Sequence, residues 1–88
     1  MGDVEVTILG QRYKIKGDVP DHYIRELAEF VDKKIMEIYE KSPNIAPLKA
    51  SILASLNIAD ELFRFRQQQE RLTRDIEEKT DALVRLFD

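Results

Sequence analysis

The chain lacks cysteine and tryptophan, and its 88 residues include only one histidine, three glycines and three prolines. The absence of cysteine excludes a disulfide framework and a thiolate metal site, and a chain this short often depends on a second subunit. A membrane span is excluded because Asn57, Asp60 and Glu61 interrupt the most apolar stretch. The acidic first residues do not resemble a secretory leader, so we expect an intracellular protein.

The chain also lacks a large excess of positive or negative charge. It has no recognisable set of catalytic residues either. Its 14 Lys and Arg against 17 Asp and Glu give a net charge of −3, which does not provide a basic surface for nucleic acid. The only histidine, His22, has no clustered metal ligands around it. Asp60 and Glu61 diverge on a helix, and Asp60 is spaced to pair with Arg64 instead. We therefore predict that the protein is not an enzyme and binds neither a metal nor a cofactor.

The N-terminal segment predicts a β-hairpin. Apolar residues at positions 4, 6 and 8 alternate with polar ones, and Gly10-Gln11 suits a two-residue turn with glycine first. This turn would set Ile8 opposite Tyr13. It would also set Val6 opposite Ile15, so that apolar residues share one face.

Two helices are predicted after the hairpin. Asp18 is a suitable N-cap and Pro20 fits the first turn. Apolar residues then recur at helical spacing until Ser42-Pro43-Asn44 ends the first helix. A second start follows at Ala46-Pro47, after which the sequence has neither proline nor glycine. The remaining segment of about 40 residues would form a helix roughly 60 Å long.

The second helix carries a heptad seam. Its positions are separated alternately by three and four residues, as in a coiled coil, and six of the eight are apolar. The seam consists of Leu62, Phe65, Gln69, Leu72, Ile76, Lys79, Leu83 and Leu86. A polar residue such as Gln69 or Lys79 at a core position lowers stability while fixing register or strand number. The seam predicts that the chain associates with a partner helix, most simply that of a second copy.

The first half of this helix has a second apolar stripe, rotated roughly 120° from the seam at 100° per residue. Its members are Ile52, Leu53, Leu56, Ala59 and Phe63. We expect one of the two apolar faces to pack on the first helix and the hairpin, and the face continuous with the seam to be covered by a second copy.

These patterns together predict an α+β, mostly α, homo-oligomeric fold. The order is an N-terminal hairpin, a short helix and a long helix ending in a coiled coil (ββαα). We assign residues 1–65 to a head and dimerisation region and residues 66–88 to a coiled-coil tail continuous with the second helix.

Three segments in this order resemble the ZapA family, bacterial cell-division proteins that associate with the tubulin-like GTPase FtsZ. Residues 6–15 read VTILGQRYKI, residues 23–32 read YIRELAEFVD, and residues 54–62 read ASLNIADEL. The resemblance covers essentially the whole chain. It implies a head that dimerises, tails able to pair dimers antiparallel into tetramers, and heads that bind and bundle FtsZ filaments at the mid-cell division septum in the cytoplasm.

The resemblance also implies site residues. The FtsZ-facing residues would be Gln11, Arg12, Lys14, Lys41 and Lys49. With the seam, the self-association residues would be Leu56, Ile58, Leu62, Phe65, Leu72, Ile76, Leu83 and Leu86. Relatives often carry a basic residue where this chain has Gln11, which would leave docking to Arg12 and Lys14. The expected partners are FtsZ and the chain itself, as a dimer or tetramer, and neither nucleic acid nor a membrane.

Other readings of the same features stay open. The basic strip of Arg12, Lys14 and Lys16 suits either a solvated strand edge protected by lysines or a docking patch for an acidic partner. The coiled coil also suits a general adaptor that recruits another protein. A dimeric DNA-binding regulator fits less well, because the chain is acidic and lacks a short helix-turn-helix with a basic recognition helix.

Overall fold

The computed structural model describes residues 3–87, which form two strands and two helices in the predicted ββαα order. Strand β1 is Asp3–Ile8, strand β2 is Gln11–Lys16, helix α1 is Asp21–Lys41 and helix α2 is Pro47–Arg85. The predicted α+β, mostly helical fold is confirmed. Neither helix contains a stretch that is long and apolar enough to cross a membrane, among the residues described.

The hairpin forms with a register that differs from the predicted one. The strands are antiparallel, with Ile8 opposite Gln11 and Val6 opposite Tyr13. The predicted pairs of Ile8 with Tyr13 and of Val6 with Ile15 are therefore wrong. Because the displacement is an even number of residues, the same side chains still share the inner face, and the predicted apolar face is retained.

The turn that sets this register consists of Leu9 and Gly10 rather than Gly10-Gln11. Both turn residues have positive φ, 53° at Leu9 and 76° at Gly10, as a type I′ hairpin turn requires. Gly10 adopts this conformation without strain, whereas a side chain such as that of Leu9 disfavours it. The backbone N–H of Leu9 donates a hydrogen bond of 2.8 Å to Oδ1 of Asp32 on α1. The turn is thus fixed by a contact from a distant part of the sequence.

The hairpin packs on α1 mainly through β1. One buried cluster comprises Val4, Val6, Ile24 and Ala28. Tyr13 and Ile15 of β2 lie on the same face of the hairpin but remain exposed. One strand therefore contributes to the core, while the inner face of the other is largely uncovered in the single chain.

Helix α2 packs on α1 through small residues. Ala50 and Ala54 are only 0% and 1% exposed and form a second cluster with Ile35 of α1. We expected a stripe of large residues on this side of α2, and that expectation is wrong. Ile52 and Leu56 are 52% and 61% exposed, and the buried contact with α1 is made by the two alanines instead.

The start of α1 differs from its prediction, whereas its end and the start of α2 agree. Pro20 is the N-cap residue and makes no side-chain capping bond, so the prediction of Asp18 as N-cap is wrong. The residue before a proline is biased toward extended backbone, which prevents the helix from starting earlier. Helix α1 ends at Lys41 with Ser42 as its C-cap, and α2 begins at Pro47, as predicted.

The chain divides into two compact units, one ending at Ile58 and the other beginning at Ala59. The first contains the hairpin, α1 and the start of α2. The second contains the rest of α2, where every described side chain is exposed. The boundary that we assigned after residue 65 stays a prediction.

Candidate functional site

The first candidate surface is the heptad seam, which follows the C-terminal part of α2 and ends at Leu86, one residue beyond the helix. Its apolar side chains are between 45% and 78% exposed in the single chain. They are Leu62, Phe65, Leu72, Ile76, Leu83 and Leu86. A continuous row of exposed large apolar side chains marks an interaction surface, because its contact with water is unfavourable. The two polar seam residues, Gln69 and Lys79, are exposed as well.

The remaining self-association residues, Leu56 and Ile58, lie in the first unit. Leu56 is exposed, whereas Ile58 is half-buried. Leu56 is therefore free to contact another molecule, while Ile58 already has part of its surface covered within its own chain.

The second candidate surface is a groove of about 930 Å³ between the hairpin, α1 and the start of α2. Its apolar lining includes Tyr13, Ile15, Met36, Tyr39 and Leu48. The sequence pattern did not point to Met36, because only the fold brings α1 beside the uncovered face of β2. The groove has the composition of a protein-binding surface: mainly apolar and aromatic walls with a few polar groups.

The predicted FtsZ-facing residues of the hairpin lie on two different faces. Arg12 and Lys14 are on the outer face, where Lys14 is opposite Glu5. The guanidinium Nε of Arg12 is 3.6 Å from Oε1 of Glu5, and both side chains are at least half exposed. Such a surface pair is weak, so Arg12 stays available to an acidic partner.

Gln11 belongs to the opposite face of the hairpin. Its Oε1 accepts a hydrogen bond of 2.9 Å from the hydroxyl of Tyr13, and both residues line the groove. The structure therefore does not bring Gln11 onto one surface with Arg12.

Lys41 and Lys49 lie at the interhelix end of the head. Lys41 is the last residue of α1, Lys49 is in the first turn of α2, and both are exposed. They flank the loop of residues 42–46 that joins the helices.

The acidic residue and the histidine that the sequence analysis considered as catalytic or metal-binding groups, Asp60 and His22, both lie on the helix surface. Asp60 accepts a bond of 2.9 Å from Nε of Arg64, which confirms the predicted i,i+4 pair. His22 is exposed in the first turn of α1. Over residues 3–87, no three His, Asp or Glu side chains are grouped so that they could hold a metal ion.

Comparison with known proteins identifies the family to which this chain belongs. The family model described as cell division protein ZapA matches residues 4–86. The chain belongs to the ZapA family. Among relatives, ZapA of Geobacillus kaustophilus is 36% identical over 90% of this chain and 87% of its own length. ZapA of Bacillus licheniformis is 35% identical over 84% of this chain and 87% of its own length.

Solved structures agree with the ZapA fold. A ZapA mutant dimer from Geobacillus stearothermophilus is 34% identical, with a TM-score of 0.66 over 86% of this chain and 88% of that one. A conserved bacterial protein of unknown function from Pseudomonas aeruginosa has a TM-score of 0.82 over 96% of this chain and 93% of that one. It is 22% identical, so it supports the fold alone.

Proposed function

We propose that this chain is a non-enzymatic cell-division protein that self-associates through α2 and crosslinks FtsZ filaments at the mid-cell septum. The observation that carries the proposal is the exposed seam from Leu62 to Leu86. A second copy that covers this seam removes its apolar side chains from water and produces an assembly with more than one head.

More than one head is what filament bundling needs. A head that binds a filament weakly holds it far more firmly when a second head of the same assembly is already bound, because the second contact is intramolecular. Each contact can still dissociate by itself, so the bundle stays reversible. Crosslinking of this kind requires no bond to be made or broken in the client.

The outer face of the hairpin is the surface that we assign to the filament. Arg12 and Lys14 are exposed there and present positive charge. Lys41 and Lys49 present further charge at the interhelix end of the head. Charge complementarity mainly raises the rate and specificity of association, which suits a reversible contact with an acidic partner.

The test is sedimentation of purified FtsZ polymerised with GTP, with and without this protein. We expect more FtsZ in the low-speed pellet and thick bundles by electron microscopy. If the amount of pelleted FtsZ does not change and the protein stays in the supernatant, the client is not FtsZ, and the general adaptor becomes the better account.

Charge reversal tests the filament-binding surface. The double variant Arg12→Glu/Lys14→Glu should lower the pelleted FtsZ severalfold while the oligomeric mass stays unchanged, because neither side chain is in the seam. The matched control is Arg25→Glu/Lys33→Glu, which reverses the same number of exposed charges on α1. Equal loss of bundling in both variants would mean that bundling depends on net charge and not on the position of the charges. Full bundling by the hairpin variant would show that Arg12 and Lys14 do not bind the filament.

A further inference from the structure

The outer edge of strand β2 has no neighbouring strand. The sheet consists of β1 and β2, and within residues 3–87 no backbone hydrogen bond joins β2 to any element other than β1. All residues of β2 are exposed, whereas β1 buries Val4 and Val6. An unpaired edge presents a row of N–H and C=O groups to which another strand can bind. In the single chain, this edge of β2 is therefore available to a partner.

The register of the hairpin determines which backbone groups point outward from this edge. In a hairpin with a two-residue turn, the residues beside the turn exchange hydrogen bonds, and such pairs alternate along the strands with pairs that exchange none. Ile8 and Gln11 are the pair beside the turn. The residues two and four positions after Gln11 therefore also bond to β1. The alternate residues direct their N–H and C=O groups outward, and they are Arg12, Lys14 and Lys16.

The two faces of β2 differ in chemistry. The outer face carries the three basic side chains, whereas Tyr13 and Ile15 on the inner face line the groove of about 930 Å³. Met36 of α1 and Leu48 of α2 line the same groove. A strand added beside β2 would have alternate side chains next to the basic residues and over the apolar groove. The segment that fits this edge therefore has acidic and apolar residues in alternation.

Strand β1 is an example of such a segment. Its two acidic residues, Asp3 and Glu5, lie opposite lysines of β2, and Val4 lies opposite Ile15. Cross-strand pairs of opposite charge and apolar pairs both stabilise a sheet. Because the two edges of β2 share the same two faces, a strand with the pattern of β1 is matched at the free edge as well.

We propose that the free edge of β2 binds an extended segment of the filament protein, with acidic and apolar residues in alternation, as an additional antiparallel strand. For the identity of the partner, this inference rests on the function proposed above. Main-chain hydrogen bonds hold the added strand, while its alternate side chains are selected by charge on one face and by the apolar groove on the other. The basic residues of β2 then contribute backbone groups as well as charge.

The same charges disfavour a second copy of the chain at this edge. Two β2 strands paired antiparallel about Lys14 would place Lys14 against Lys14 and Arg12 against Lys16, and like charges directly opposite each other destabilise a sheet. Strand β1 of a second copy has suitable charges, but a sheet extended in this way leaves the next β2 edge free and does not close. The edge is therefore better suited to a different protein.

A synthetic peptide tests the edge directly. The probe has the sequence of β1, DVEVTI, and carries a fluorophore, so that fluorescence anisotropy measures its binding to the full-length chain. We expect saturable binding of this peptide, and binding about tenfold or more weaker for KVKVTI, in which lysines replace the two acids. No saturable binding of the acidic peptide, or equal binding of the two peptides, would overturn the proposal.

N-methylation of the peptide shows which edge of β2 it occupies. At the free edge, the acidic residues of the peptide lie opposite the outward-pointing basic residues, so their N–H groups bond to β2. Methylation of the glutamate N–H should therefore abolish binding, whereas methylation of the second valine N–H should have little effect. The reverse result would mean that the peptide displaces β1, whose valines bond to β2, and would overturn the proposal.

A proline in β2 tests the edge within the protein. Lys14→Pro removes an outward N–H group and no hydrogen bond to β1, which is where an edge strand tolerates proline. The matched control, Lys14→Ala, removes the same charge and keeps the N–H group. We expect peptide affinity and pelleted FtsZ to be severalfold lower for Lys14→Pro than for Lys14→Ala, and equal values would overturn the proposal. If Lys14→Pro loses the folded circular dichroism spectrum, the N-methylated peptides decide the question on the unmodified chain.

These measurements separate the inference from the proposed function. Peptide binding with the expected N-methylation pattern, together with no pelleted FtsZ, would overturn FtsZ as the client and retain the strand-binding edge. FtsZ pelleted equally by the two Lys14 variants would overturn strand addition and retain the proposed function. Assembly of the chain alone that is lost only in Lys14→Pro would assign the edge to a second copy, and would also overturn the proposal.

Discussion

At the scale of single residues, the hairpin turn shows how a local conformation depends on a distant side chain. Leu9 has a φ of 53°, a region that residues with a Cβ adopt at a cost of about 1–2 kcal/mol. Its N–H group is held by Asp32, and its side chain packs against the cluster formed by Ile35, Ala50 and Ala54. The contacts with α1 and α2 therefore offset the strain in the turn.

We predict that Asp32→Ala destabilises the head by about 1–2 kcal/mol, because the N–H of Leu9 loses its acceptor. Asp32→Asn keeps an acceptor oxygen and should cost less. Denaturant unfolding of both variants at one protein concentration measures the difference, since association also contributes to apparent stability. Glu29→Ala, an exposed acid on the same helix, is the control. Asp32→Ala as stable as that control would show that the hydrogen bond is not needed.

Gly10 gives a second prediction at this scale. A Cβ at Gly10 would meet no atom within 4 Å, so any effect of Gly10→Ala comes from its φ of 76° alone. We expect a loss of about 1 kcal/mol in the free energy of unfolding. An unchanged midpoint in urea would show that the turn relaxes to another type.

At the scale of elements, the packing of α2 on α1 through Ala50 and Ala54 limits the side chains that fit there. We predict that Ala54→Leu destabilises the head by about 1–3 kcal/mol, because the added atoms have no space at a position that is 1% exposed. Thermal unfolding followed by circular dichroism measures this. Ala82→Leu makes the same change at an exposed position of α2 and should leave the head transition unchanged. Similar losses for the two variants would contradict the packing described.

The sequence predicted the elements and their order because periodicity and helix-ending residues are local signals. It did not predict the hairpin register, because a shift by two residues keeps the same faces and the choice depends on Asp32, which is far along the chain. It also missed the role of Ala50 and Ala54, since hydrophobic patterns draw attention to large residues while the buried contact with Ile35 uses small ones. The seam was found because its heptad spacing stands out against polar neighbours.

At the scale of the whole molecule, two neighbouring residues of similar exposure allow the role of the seam in self-association to be tested. Leu83 and Val84 are 60% and 56% exposed, but only Leu83 belongs to the seam. We predict that Leu83→Glu weakens self-association by about tenfold or more, because it places a charge in an apolar layer. Val84→Glu should have little effect. Dilution series in the analytical ultracentrifuge measure both, and equal behaviour of the variants would show that the seam does not form the contact.

The exposed seam makes the proposed self-association the property of this molecule that most needs a direct test. Sedimentation equilibrium of the unmodified chain at micromolar concentration tests it most directly. We predict a mass that is an integral multiple of that of the 10.3 kDa chain and corresponds to at least a dimer. A single species of 10.3 kDa throughout that range would contradict it.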